Sequence, residues 1–190
     1  RDSLRHPRTR RPLSMKDELT KKIREACFTC TLCGACCSGA DNEVMVSPDE
    51  VEVLMQTTSL PFSDIAEPYP DWMEYPDGTK ITFGWVLKRG ADGNCLFLRD
   101  NRCTVYASRP HICRTYPFML DGDELIISEC PAVGCGDSAD AEETADALLF
   151  RRDAEDKEFF ATEKQYQKHS IVSGSTVVID SRGIHRQNTI

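Results

Sequence analysis

An α+β fold, a small single domain of short helices and β-hairpins, is predicted by three features of the sequence. Ten cysteines in 190 residues leave a loop-rich chain of modest apolar content around them. Helix-start signals precede short amphipathic runs, most completely at Ser47-Pro48-Asp49-Glu50. Paired β-rich runs flank turn residues at 99–102, 121–123 and 181–183. The hairpins and helices are short for a chain of this length, and the cysteines are spread among them. The expected architecture is therefore built around a cysteine-bound metal centre, which contributes part of the stability.

Residues 1–14 carry five Arg and two Pro without apolar periodicity and read as a basic flexible arm. A phosphate or nucleic-acid contact is the sharper reading, and Met15 is an alternative start. Leu19, Ile23 and Ala26 at helical spacing predict a helix over 16–26, delivering the chain to the first cysteine group. Glu43–Val46 reads as a short strand. Ser47 then caps a helix, with Pro48 at its first position and Glu50 completing a capping box. Val51, Leu54 and Met55 form its buried side. Pro61–Gly78, with four prolines, Trp72 and Tyr75, reads as an irregular ordered loop. Its aromatics are expected in the core, with a lid over the centre or a partner surface as the alternative.

Lys80–Arg89 alternates as a strand. Residues 95–98 and 103–106 form a hairpin with a cysteine on each arm, and 118–127 form a second, turning at Asp121-Gly122-Asp123. Residues 138–169 read as one or two helices, and 176–185 as strand, turn and strand. The organisation is an arm (1–14), a metal-binding domain (15–136), and a helical segment with a terminal hairpin packing on the same domain (137–190).

Charge and hydropathy exclude several classes. The net charge of −8 argues against a nonspecific nucleic-acid binder. No apolar run approaches the roughly 20 residues of a membrane span, and no secretory signal pattern is visible. A cytoplasmic protein is expected.

Cys27, Cys30, Cys33, Cys36 and Cys37 crowd into eleven residues. Most pairwise disulfides there would be strained, whereas thiolates around a metal centre all point at one shared object. An x2 spacing places two sulfurs on adjacent corners of a centre. The run from Cys27 is similar to the bacterial ferredoxin wrap, and Cys130-Pro131 supplies the cysteine before proline. Gly34 would let the backbone turn closely. Arg109, Arg114, Lys88 and Arg89 lie near the cysteine segments. Arg109 and Arg114 are candidates for positions behind the ligands, where a guanidinium would offset negative charge; Lys88 and Arg89 read as surface ion pairs. His111 reads as a packed residue, and Tyr116-Pro117 as a turn beneath the site. The acidic groups at 140–143 and 153–158 read as a solvated helix face. No nucleotide loop, Ser/His/Asp set or paired-carboxylate signature is present.

The chain resembles the YkgJ-type cysteine-cluster family, a CxxCxxCC zinc- or iron-chelating domain. The resemblance rests on Phe28-x-Cys30-x2-Cys33-Gly34-x-Cys36-Cys37 and Cys95-x-Phe97-Leu98. It continues through Cys103-x2-Tyr106-x2-Arg109-Pro110-x2-Cys113-Arg114-x-Tyr116-Pro117-Phe118 to Cys130-Pro131-x2-Gly134-x-Gly136. It implies that Cys30, Cys33, Cys36, Cys37, Cys95, Cys103, Cys113 and Cys130 are the metal ligands. Cys27 and Cys135 lie outside the pattern and read as extra ligands, redox-active thiols or small buried residues.

A sulfur-only set suits both iron–sulfur clusters and zinc. Adjacent Cys36 and Cys37 are awkward around one tetrahedral zinc and suit metals on both sides, which favours one or two [4Fe-4S]-type clusters or one larger cluster. The expected role is a redox, electron-transfer or regulatory module that docks on a larger enzyme and is not an enzyme by itself. A zinc-held interaction adaptor is the first alternative. A metal-dependent enzyme is the second, because the family resembles the flagellin lysine N-methylases through its cysteine block.

Overall fold

The computed structural model describes residues 14–39 and 42–187. The expected arm at 1–13 lies outside the described residues. Ser14, placed in that arm by the sequence reading, is instead the N-cap of helix α1 (Met15–Glu25). Its hydroxyl accepts from the Asp17 N–H at 3.2 Å, and the Asp17 carboxylate accepts from the Ser14 N–H at 3.1 Å. This is a capping box read in both directions. α1 buries Leu19 and Ile23.

After the first cysteine group comes strand β1 (Met45–Val46), then α2 (Pro48–Thr58) with the expected box: Ser47 Oγ accepts from Glu50 N and Glu50 Oε2 from Ser47 N. The proline-rich stretch departs from the expected loop. It contains a one-turn helix α3 (Phe62–Ile65) and strands β2 (Ala66–Pro68) and β3 (Met73–Glu74). Pro61 caps α3, Pro68 ends the edge strand β2, and Pro70 and Pro76 lie in a bend and a turn, so no ladder hydrogen bond is lost. Trp72 packs on the core, whereas Tyr75 is exposed.

The predicted strand at 80–89 is two strands, β4 (Lys80–Phe83) and β5 (Trp85–Leu87). Gly84 separates them with φ +78°, a left-handed conformation that glycine adopts without strain. The turn hands the chain from one sheet to another. The hairpin at 95–106 is shorter than expected: β6 (Leu98–Arg99) pairs β7 (Arg102–Cys103) across Asp100-Asn101, both at positive φ. Cys103 lies on an arm, but Cys95 forms an isolated bridge with Arg89. Helix α4 (His111–Thr115) follows, then the expected hairpin β8 (Phe118–Asp121) and β9 (Glu124–Ile127).

The segment after 138 is one helix, α5 (Ala141–Lys168), whose buried face is Ala141, Ala145, Leu148 and Arg151. Its acidic residues largely form the expected surface, with Lys16 between Glu142 and Asp146 and Arg151 on Glu155. The last strands, β10 (Thr176–Asp180) and β11 (Gly183–Arg186), pair antiparallel as predicted. β10 also runs parallel to β4, so the terminal hairpin is half of a four-stranded sheet ordered β11-β10-β4-β3. A second sheet is ordered β1-β5-β2.

One core gathers α2, β5 and the hairpin β6-β7 through Val51, Leu54, Trp85, Leu87, Phe97 and Val105. Another joins α1 to α5 and β8 through Leu19, Ile23, Phe28, Phe118, Ala145 and Leu148. Between these two cores lies the cysteine-lined space. Among the described residues, no helix is long and apolar enough to cross a membrane.

Candidate metal centre

The cysteines arrive on four separate pieces of chain. Cys30 and Cys33 lie on the loop after α1, turned by Leu32 and Gly34 at positive φ. Cys36 and Cys37 occupy a single 3-10 turn, Ala35–Cys37. Gly34 is needed for packing as well as for its φ of +75°: an added Cβ would lie 2.9 Å from the Asn101 carbonyl oxygen, pressing the loop off the β6-β7 turn. Cys95 donates its N–H to the Cys37 carbonyl at 2.8 Å, which joins the loop to the hairpin. Cys103 comes from β7, Cys113 from α4, and Cys130 from the segment after β9.

All eight cysteines of the motif line one cavity of about 350 Å³. Cys27 and Cys135 are not on its wall; both are exposed. The remaining wall is largely apolar, with Phe28, Leu87, Phe97, Val105 and Phe118 drawn from both neighbouring cores. The thiols are spread around the wall: among the described residues, no three His, Cys, Asp or Glu side chains are grouped about one point as a single ion requires.

The thiols feel one another. Cys36 and Cys37 sulfurs are 3.8 Å apart. The hydrogen bond between them holds the Cys36 thiol down at about 6, helped by the Arg109 guanidinium, and pushes Cys37 up. Burial pushes Cys113 up to about 12, with the charges of Cys95, Cys36 and Cys103 adding to it. Burial also raises Cys95. Burial opposes ionisation at Cys95 and Cys113, and a metal would supply positive charge there while releasing the protons. The donor set fits a soft metal or an iron–sulfur group.

Arg109 and Arg114 both reach the wall. Arg109 lies over the Tyr106 ring, 3.5 Å from its centre, and donates Nε–H to the Tyr106 carbonyl at 2.9 Å. Arg114 donates to the carbonyls of Arg109 (2.7 Å) and Ala107 (3.0 Å), fixing the turn that carries Arg109. Among the described residues Arg89 makes no ion pair; it donates to the carbonyls of Gly39 and Gly93. His111 is packed, meeting Phe150 edge to face, while its backbone N–H donates to Glu50 Oε1 at 2.8 Å. Tyr116 lines the cavity, and its hydroxyl donates to the Glu129 carbonyl beside Cys130.

The lid reading for the proline-rich aromatics fails, since neither Trp72 nor Tyr75 reaches the wall. The sequence reading missed Asp140 and Thr144, which border the cavity at the start of α5. The sequence reads Asp140 as part of a solvated face, and its place just ahead of α5 is the signal that sets it apart.

Residues 29–147 match the CxxCxxCC family, described as a "putative zinc- or iron-chelating domain". The chain belongs to this family. The matched region contains all eight cavity cysteines and Cys135, and ends within α5. No solved structure matches the chain. Like the family description, the CxxCxxCC motif leaves zinc and iron both open.

Proposed function

We propose that the eight cavity cysteines hold iron–sulfur chemistry, as one or two [4Fe-4S]-type clusters or one larger cluster, in a redox, electron-transfer or regulatory module. The observation that carries this reading is the gathering of eight thiols around one apolar-walled cavity. A lone tetrahedral zinc takes four ligands, whereas a cluster or a cluster pair takes sulfur from several sides. Such a group, when bound, supplies one-electron chemistry. The chain's own residues set its surroundings. Phe28, Phe97 and Phe118 supply apolar wall, and the Arg109 guanidinium favours the thiolate form of Cys36 and Cys113. Arg114 acts by holding the turn on which Arg109 stands.

Docking on a larger protein or enzyme complex is supported by Phe159 and Phe160, adjacent on α5 and 64% and 62% exposed. Aromatic side chains in water are costly and are common at interfaces.

Protein prepared without oxygen tests the reading by quantifying iron, acid-labile sulfide and zinc. Iron matched by sulfide, with visible absorbance that bleaches on reduction, is the expected result. A colourless protein with stoichiometric zinc overturns it and selects the zinc-held interaction adaptor.

A further inference from the structure

Cys27 and Cys135 stand outside the cavity, yet the fold brings them together. Consecutive carbonyls of Ala26 and Cys27 accept from the N–H groups of Gly134 (3.0 Å) and Gly136 (2.6 Å), the two residues flanking Cys135. Standard backbone dimensions on either side of the 2.6 Å bond hold the two cysteine Cα atoms within about 7 Å. Disulfides form across Cα separations of about 4.4–6.8 Å. The seam is fixed further along, where Phe28 N donates to Ser138 Oγ at 2.7 Å and Thr29 Oγ1 to Asp137 Oδ1 at 3.1 Å. Both thiols are exposed, and each makes a long contact with its own chain. Cys27 Sγ lies 3.8 Å from the Arg24 carbonyl oxygen and Cys135 Sγ 3.7 Å from that of Pro131.

We propose that Cys27 and Cys135 form a dithiol site, separate from the eight-cysteine cavity, that closes to a disulfide by exchange with a small-molecule disulfide. The thiolate of one cysteine attacks a sulfur of the incoming disulfide, the S–S bond breaks, and one small thiolate leaves. The thiolate of the second cysteine then attacks the protein-bound sulfur and expels the other small thiolate. The protein loses two electrons and two protons, and the small disulfide gains both as two thiols. The bond spans a stretch of chain that contains every cavity cysteine, so it staples the two ends of the metal-binding region at one seam.

The test incubates the full chain, with its metal as purified, with oxidised glutathione under anaerobic conditions. Disulfides are then mapped by mass spectrometry, and bound metal is measured in the same sample. The expected result is a Cys27–Cys135 cross-linked peptide, the loss of both thiols to alkylation, and unchanged metal content. Cys27→Ser and Cys135→Ser each abolish the cross-link and retain glutathione on the remaining cysteine. Cys27 and Cys135 staying alkylatable, or either pairing with a cavity cysteine, overturns the proposal. Because the cross-link is read independently of the metal, its outcome is distinct from that of the iron–sulfur reading.

Discussion

Substituting Gly136 by Ala adds one methyl group where the fold has no room for it. A Cβ there would lie 2.3 Å from Thr29 N, 2.5 Å from Thr29 Oγ1 and 2.6 Å from the Phe28 carbonyl carbon. Two of these neighbours are backbone, and the closest is about 1 Å inside an ordinary van der Waals contact. Residues 28–29 and 136 must therefore separate, weakening the Cys27–Gly136 hydrogen bond and the Thr29–Asp137 pair. Overpacking costs about 1–3 kcal/mol and a weakened hydrogen bond about 1 kcal/mol, giving a loss of about 2–4 kcal/mol. A loss of about 3 kcal/mol lowers the melting temperature of a chain this size by roughly 6–12 °C. Gly134→Ala is the control. Gly134 has φ +80° with open space around it, so alanine there meets only the left-handed penalty of about 1–2 kcal/mol. Urea unfolding followed by circular dichroism, with both variants and the parent in one metal state, measures the difference. A Gly136→Ala midpoint equal to that of the parent, or a larger loss for Gly134→Ala, would refute the steric argument.

Cys33→Ser and Cys36→Ser are expected to lower bound metal and the melting temperature together, since metal binding and folding are coupled at such sites; elemental analysis alongside calorimetry checks this. Trp85→Phe removes the indole N–H that donates at 2.7 Å to the buried Asp180 carboxylate, and should destabilise by about 1.5–3 kcal/mol in denaturant titration. The Asp77 carboxyl is held below its ordinary range by the Ser173 hydroxyl and by the Thr79 N–H and hydroxyl. Its contribution is thus fully present above the ordinary carboxylate range and is lost as pH falls through the depressed value. Ser173→Ala should move the Asp77 titration upward, as read by NMR.

Local features were legible where a few neighbouring residues decide the structure. Ser47 and Glu50 announce α2 by themselves, and Asp121-Gly122-Asp123 announces its hairpin, because caps and turns are short-range chemistry. Gly84 was not legible as a break. One glycine in an alternating run does not reveal that the chain turns left-handed and changes sheets there. The strands β2 and β3 were hidden by Pro68 within the first and by Pro70 and Pro76 on either side of the second, which rule out a central strand but not a brief edge. The parallel pairing of β4 with β10 is a contact between distant segments, and no local pattern encodes it. At the site, the cysteine motif singled out the eight wall residues and set Cys27 and Cys135 apart. The same motif held Phe28, Arg109 and Tyr116 of the wall, whereas Leu87, Val105 and Ala132 reach it through the packing of the two cores, which spacing does not disclose.

The order in which the cavity's walls occur along the chain has a consequence for biosynthesis. Ribosomes add about 5–20 residues per second, so roughly 5–20 s separate the emergence of Cys30 from that of Cys130. Over that interval the early thiols face the surrounding medium with no completed enclosure, and β4 waits about as long for β10. Metal delivered within that interval would meet only part of the cavity's thiols, so insertion belongs after the segment carrying Cys130 has emerged, when thiols from all four segments can close around it at once.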